Sequence, residues 1–357
     1  GDAALTDLVV LYGDTPLLRT ETLAALIAAR REAPRPAVAV AGMRPADPGP
    51  YGRLVLGADG GVERIVEARD ATPQERAIGL CNGGIMALDA GLAFDLLDRL
   101  DNDNAKREFY LTDIVAIARR RGLGCRVVEL PAAELVGVNT RAELAEAEAI
   151  LQDRLRRRAM AEGATLIAPQ TVFFSADTRL GRDVVVEPNV VFGPGVRIAD
   201  NVRIRSFSHL EGATIASGAI VGPFARLRPG AVLEAGVHVG NFVEVKAARL
   251  GEGAKANHLA YLGDSEIGAR TNIGAGTITC NYDGVNKSRT IIGAGAFIGS
   301  NTALVAPVSV GDGAIVAAGS VITRDVPADA LTIARAPQID KPARAAALRA
   351  RLRERNS

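Results

Sequence analysis

The chain has 357 residues, a formal net charge of +1, 48% hydrophobic residues, 38 glycines and only 14 aromatics, nine Phe and five Tyr with no Trp. This composition excludes a disordered chain, gives no basic footprint for nucleic acid, and contains no apolar run near the roughly 18 residues of a membrane span. Much glycine and many aliphatics beside few rings point to a core packed from small side chains in bulk, in a chain of about two domains.

The first segment, GDAALTDLVVLYGD, has no basic region of the kind a signal peptide carries, so a cytoplasmic location is expected. Its first residue is Gly, and LVVLY (8–12) already has the pattern of a buried strand, so the chain is expected to begin inside a domain. Cys81, Cys125 and Cys280 stand far apart without metal spacing and are expected to be free thiols in a reducing compartment.

Residues 1–138 alternate strand and helix patterns, which predicts an α/β layer. LVVLY leads to Gly13-Asp14, residues 21–32 have helical periodicity, and AVAVAG (37–42) is a second strand. Residues 51–67 predict two strands joined by the Ala58-Asp59-Gly60-Gly61 turn. Thr72-Pro73-Gln74-Glu75 combines an N-cap, Pro at the first helical position and a capping-box Glu. Amphipathic pieces at 91–100 and 105–121 and the strand 125–130 follow. A second capping box, Thr140 with Glu143, opens a polar helix running to about residue 162, expected to be an arm (139–163) between domains.

Beyond it the period changes. Leu180, Val186, Phe192, Ile198, Ile204 and Leu210 are six residues apart, each with a small or β-branched residue two positions before. The frame slips by one and resumes at Ile215, Val221, Leu227, Leu233, Val239 and Val245, then Leu250, Ala256 and Leu262, then Ile267 and Ile273, and finally Ile292 through Ile322. Twenty-three hexads in five in-phase blocks predict a parallel β-helix over 164–336, its coils stacked about 4.8 Å apart. In such a prism every sixth side chain points inward, glycine takes the corner angles, and rings find no room. The period leaves the hand open, and the crossover rule would favour a right-handed helix. Between Ile273 and Ile292 the chain reads GAGTITCNYDGVNKSRT, too polar to join the stacked core, so this stretch is expected to project as a loop that carries chemistry. The tail, 337–357, has a basic helical pattern, read either as a solvated terminus or as a binder of an anionic ligand.

Of the three histidines, His209 and His238 sit at outward positions inside regular hexads and read as surface residues. His258 stands where the hexad pattern weakens, shortly before the ejected loop.

The hexads, with FARLRPGA (224–231), GNFVEVKAARLG (240–251), NHLAYLGDSEIG (257–268) and NIGAGTITCNYDGVNK (272–287), resemble the bacterial bifunctional enzymes that make UDP-N-acetylglucosamine. Those enzymes fuse a glucosamine-1-phosphate acetyltransferase to an N-acetylglucosamine-1-phosphate uridylyltransferase. The likeness extends through YGDTPL (12–17), YGR (51–53), RIVEARDAT (64–72), CNGGIMA (81–87) and GVNTR (137–141), and so spans nearly the whole chain. It implies a left-handed β-helix, a homotrimer with the acetyl site between subunits, small-molecule substrates, and neither nucleic acid nor membrane as partner. By the same resemblance His258 is the general base, and Arg228, Lys246, Tyr261, Asn272 and Lys287 bind the sugar phosphate. Ala275, Asn281, Tyr282, Ser300, Ala318 and Arg335 match positions for acetyl-CoA. In the first half Asp14 and Asn139 match the ligands of Mg²⁺, while Gly52, Glu67, Asn82 and Asn139 match the sugar-nucleotide site. Read alone, Arg228 and Lys246 are solvated corner charges, Asp14 a turn residue, and Ala275, Ser300 and Ala318 ordinary repeat residues.

The family's N-terminal Gly-rich loop, of the form LAAGxGTRM, and its uracil-reading segment have no counterpart in these residues. Residues 1–138 are therefore expected to be a partial nucleotidyltransferase, Rossmann-like domain with impaired uridylyl transfer. Two other readings stay open on the residues: a sugar nucleotidyltransferase whose β-helix is structural or regulatory, and a non-catalytic trimeric scaffold.

Overall fold

A computed structural model of the chain describes residues 5–102 and 107–355. Residues 1–4, the first two of the helix expected over 105–121, and the last two of the tail lie outside the described residues. The chain divides into two compact units, the first ending at Leu151 and the second starting at Gln152.

In the first unit the strands are β1 (Asp7–Val10), β2 (Val38–Met43), β3 (Arg53–Leu56), β4 (Val62–Val66), β5 (Cys81–Asp89) and β6 (Cys125–Glu129). The helices are α1 (Thr20–Arg31), α2 (Pro73–Arg76), α3 (Ala90–Leu97), α4 (Ile114–Arg120) and α5 (Arg141–Ala161). The sheet runs β4-β3-β5-β2-β6, with β1 also on β5. It is mixed: β2 and β6 are parallel, while β5 runs antiparallel to β1, β2 and β3. All six residues of β2 are buried, as befits a strand covered on both faces. Val38 and Val40 pack with Leu96, Ile114 and Val115 on one side, whereas Ala39, Ala41 and Met43 meet Leu26 and Leu135 on the other. The expected hairpin over 51–67 is present as β3–β4. The capping box at Thr72 is made in both directions and holds the Glu75 carboxyl down to about 2, chiefly through the Thr72 backbone N–H.

One local expectation needs correcting, and one strand was not foreseen. The helix predicted over 105–121 is confined to a 3₁₀ turn at Leu111–Asp113 and the seven residues of α4, because only Ile114, Val115, Ile117 and Ala118 find a core to enter. The central strand β5 has no strand signal of its own, since Gly83 and Gly84 interrupt its alternation.

The second unit is a parallel β-helix. One face runs Val185↔Arg203↔Ile220↔His238↔Lys255↔Asn272↔Phe297↔Ile315↔Leu331, steps of mostly 17 or 18 residues, so three hexads make one coil. Every hexad residue of the sequence series is buried except Leu180, which is half-buried in the first coil. The small residues two positions before them, among them Val184, Ala213, Ala231 and Ser320, are buried as well, so two side chains per hexad fill the prism.

Rings are not wholly excluded: Phe174 and Phe192 stack inside the first coils at 5.0 Å and 11°. A parallel stack needs only the coil spacing between ring planes, which the prism supplies. Three further rings, Phe207, Phe224 and Phe242, stack outside along one corner, each at a positive φ. The ejected loop is also shorter than expected. Ile278–Cys280 is a strand paired with Tyr261 and with Ala303–Val305, so residues 274–280 complete a coil and only about 281–289 leave it. Thr277 and Thr279 can point inward because their hydroxyls donate to Gly274 O (2.7 Å) and Gly263 O (3.0 Å). At the N-terminal end the Gln152 side-chain amide pairs with the peptide of Phe174, at 2.7 and 2.8 Å, and so docks the last turns of α5 on the first coil. The basic tail forms α6 (Arg344–Glu354), exposed along its length.

Leu233 is stacked between Ile215 and Leu250 and is 1% exposed. Leu233→Ala is expected to lower the stability of the β-helix by about 2–5 kcal/mol, read as a fall in its urea midpoint with retained circular dichroism in buffer.

Candidate functional site

In the first unit all five residues singled out from the sequence, Asp14, Gly52, Glu67, Asn82 and Asn139, line one cavity of about 390 Å³. The turn after β1 supplies Asp14, and its carbonyl accepts from Val138 N at 2.8 Å, which ties the turn to the segment before α5. Gly137 lies between the two ligand candidates. A Cβ there would sit 3.7 Å from Asp14 Oδ2 and 3.9 Å from the Asn139 side-chain amide. The Glu143 carboxylate accepts from Asn139 N and Thr140 N at 2.6 and 2.7 Å, so the α5 capping box also fixes Asn139.

Opposite them, the β2–β5 register shifts between Val40 and Gly42, and the bulge lifts Asn82, Gly83 and Gly84 into the cavity wall. Gly84 has φ +79°, and a Cβ there would lie 3.0 Å from the Tyr12 ring. Two groups not singled out earlier bear on this cavity, Thr112 from behind Glu67 and Tyr12 from its lining. Thr112 donates to Glu67 at 3.1 Å, and burial, then the charges of Glu67 and Asp14, push the Tyr12 phenol above its usual pKa. Tyr12 had a signal in the sequence, the YGD run; Thr112 had none.

In the β-helix His258 ends the strand Lys255–His258, in register with Asn241 one coil earlier. The Asn241 side-chain oxygen lies 2.8 Å from His258 Nδ1. His258 is exposed, and the next residue, Leu259, turns the corner with φ +51°. Around that corner lies a polar patch. Arg228 pairs with Glu244 at 2.8 Å, and that carboxylate raises the guanidinium's pKa, with burial opposing it. Glu244 is in register with Tyr261, and Lys246 with Gly263. A Cβ on Gly263 would fall 2.4 Å from the Tyr261 hydroxyl, so the phenol lies flat over that glycine, next to Lys246.

Along the corner beyond His258, successive coils present small residues. Gly276 N donates to His258 O, Asn301 N to Ala275 O (2.7 Å), and Gly319 N to Ser300 O (2.8 Å), and Arg335 Nη1 reaches Ala318 O at 2.5 Å. Ala275, Ser300, Ala318 and Arg335 therefore form one column with His258 at its foot. Asn272 is on the neighbouring face, in register with Lys255.

The ejected loop is a short hairpin. Tyr282 and Lys287 bridge its neck and are exposed, while Asp283 accepts from Val285 N and Asn286 N at its tip. Tyr282 O–H donates to Gly284 O, so its phenol is turned to the hairpin itself. Asn281 is 8% exposed and donates to Asp264, which makes it the anchor of the loop. His209 and His238 lie at outward positions as expected, and burial pushes both imidazoles below their usual pKa. Asn241 and Glu244 were not singled out from the sequence. The signal that finds them is the coil length, since each stands 16 or 17 residues from the side chain it touches.

Residues 177–212 match the bacterial transferase hexapeptide (six repeats) family, and residues 289–324 match the hexapeptide repeat of succinyl-transferase. Over 334 residues the chain is 59% identical to the bifunctional protein GlmU of Paramagnetospirillum magneticum, covering 94% of this chain and 74% of that protein. It is 61% identical over 344 residues to the bifunctional protein GlmU of Azorhizobium caulinodans, covering 96% and 76%. A solved acyltransferase structure, LpxA of Bacteroides fragilis, aligns with 51% of this chain and 76% of its own, at 19% identity and a TM-score of 0.32.

The three thiols stand in different surroundings. Burial pushes Cys125 up to about 12 and also raises Cys81, whereas Cys280 is partly exposed at the root of the hairpin. Only the thiolate attacks a disulfide reagent. One thiol per chain is therefore expected to react with dithionitrobenzoate before denaturation and three after it, and Cys280→Ser should abolish the native signal.

Proposed function

We infer the chemistry of both sites from one premise: the chain belongs to the family of bifunctional GlmU proteins. It is a transferase that acetylates glucosamine-1-phosphate and joins the product to a uridylyl group. We assign acetyl transfer to residues 164–336, the sugar- and metal-facing part of the uridylyl site to residues 1–138, the connecting arm to 139–163, and an accessory role to the tail 337–357.

For acetyl transfer, His258 takes a proton from the sugar amine through Nε2 while the amine nitrogen attacks the thioester carbonyl carbon of acetyl-CoA. The C–N bond forms, the C–S bond breaks, and the imidazolium returns its proton to the departing thiolate. Arg228 and Lys246 hold the phosphate, Arg as a fork and Lys as a point charge, with Tyr261, Asn272 and Lys287 around the sugar. Ala275, Ser300 and Ala318 leave room for the donor's arm against the coils, Asn281 and Tyr282 flank it, and Arg335 meets its phosphates. The observation that carries this reading is the position of His258, at the junction of a cationic patch and a column of small residues.

For uridylyl transfer, Asp14 and Asn139 would hold Mg²⁺, since they offer hard oxygen donors on either side of Gly137. The ion would screen phosphate charge during the transfer. Gly52, Glu67 and Asn82 bind the N-acetylated sugar from the opposite wall of the same cavity.

We propose that the β-helix assembles as a homotrimer and that the enzyme works in the cytoplasm, where its thioester and nucleotide substrates are made. The exposed Phe207, Phe224 and Phe242 stack fits an oligomeric face, because an apolar stripe of this kind is rarely left in water.

Thiol release from acetyl-CoA in the presence of glucosamine-1-phosphate is expected for the wild type and about 10²–10⁴-fold slower for His258→Ala. Unchanged activity in that variant refutes the base, and no activity in either protein favours a structural β-helix. A variant that elutes as a monomer is expected to lose acetyl transfer, and an active monomer removes the need for a shared site.

A further inference from the structure

We infer that Asn241 is a positioning residue for acetyl transfer: its side-chain carbonyl accepts from His258 Nδ1–H and leaves Nε2 as the basic nitrogen. This rests on the reading of His258 as the base. Neutral imidazole has two tautomers, and only the one protonated at Nδ1 can take a proton through Nε2. The ladder holds Asn241 and His258 in register across adjacent coils, so the 2.8 Å contact is set by two backbones rather than by a mobile side chain.

The acceptor is an amide and not a carboxylate, which separates tautomer from charge. An amide oxygen selects Nδ1–H without drawing a proton onto the ring, whereas a carboxylate at that distance would favour the imidazolium and hold the base protonated to higher pH. His238 lies on the strand of Asn241, and the cations that act on it are Arg205, two coils earlier, and Lys255 on the strand of His258. Burial first, then those cations, pushes the His238 imidazole below its usual pKa, and none of these groups is a carboxylate that could pair with His258. Asn241 thus sets proton location on the ring through geometry alone.

The test uses the full chain with Asn241→Leu, similar in size without an acceptor, and Asn241→Asp, which restores the acceptor and adds charge. Both are first checked for wild-type thermal melting and elution volume. The acid limb of kcat/KM is expected to move up by about one pH unit or more in Asn241→Asp, with acetyl transfer above that limb near the wild-type rate. Asn241→Leu should lose about tenfold or more in kcat at every pH, with KM for glucosamine-1-phosphate little changed.

Nitrogen-15 spectra of the ring nitrogens give a readout independent of turnover, and with three histidines in the chain His258→Ala assigns the signal. The wild type should show the Nδ1–H form at high pH and Asn241→Leu a mixture. An Nε2–H form in the wild type, or an acid limb that Asn241→Asp leaves in place while His258→Ala abolishes activity, overturns this inference alone. A wild-type chain without acetyl transfer overturns the reading of His258 and this inference with it.

Discussion

The structure of the second unit depends on one constraint, the closure of each coil after three hexads. Two inward positions per hexad must carry side chains that fill the prism without overfilling it, and each coil must end where its hydrogen bonds meet the next. Once that closure is met, residues 17 or 18 apart in sequence stand one coil spacing apart in space. Outward side chains are then free to vary without disturbing the core, and any pair of them at the coil separation becomes a contact. The Asn241–His258 and Arg228–Glu244 pairs are products of this arithmetic.

Departures from regularity are where polar chemistry enters. Between Glu244 and Ile267 two strands, Glu244–Leu250 and Tyr261–Ile267, lengthen to seven residues; Tyr261 lies over Gly263, and the corner turns directly after His258. In the next coil threonines replace aliphatic residues at inward positions, and their hydroxyls are satisfied by coil carbonyls, so the prism continues beneath the hairpin. The corner at His258 is therefore built on an unbroken core, and the rigidity proposed to serve acetyl transfer comes from the stacked coils. The first unit uses the same device in a different fold: a bulge in the central strand β5 puts Asn82 at the cavity wall, opposite the capped turn that holds Asn139.

Much of this was legible without coordinates. The six-residue period identified the coils and their inward residues, because inward packing imposes a local, repeating demand on side-chain size. Capping boxes at Thr72 and Thr140 were legible for the same reason, each being a contact between residues three apart. The strand β5 was not, since Gly83 and Gly84 weaken its local preference and its burial comes from β1, β2 and β3, distant in sequence. Nor was the end of the 274–280 coil, where polar residues are buried by hydrogen bonds that only the neighbouring coil provides.

The sequence by itself determined the two-part architecture and the coil repeat, and its resemblance to a family supplied candidates for a base, a phosphate patch and a metal-facing turn. Tertiary structure alone decided which of these meet. Asp14 and Asn139 are 125 residues apart in sequence and share one cavity because a single backbone hydrogen bond joins their loops. Arg228, Glu244 and Tyr261 form one patch because coils stack in register. The reason is physical: side-chain size and backbone preference act within a few residues, whereas contact between distant residues is decided by how the finished strands pair.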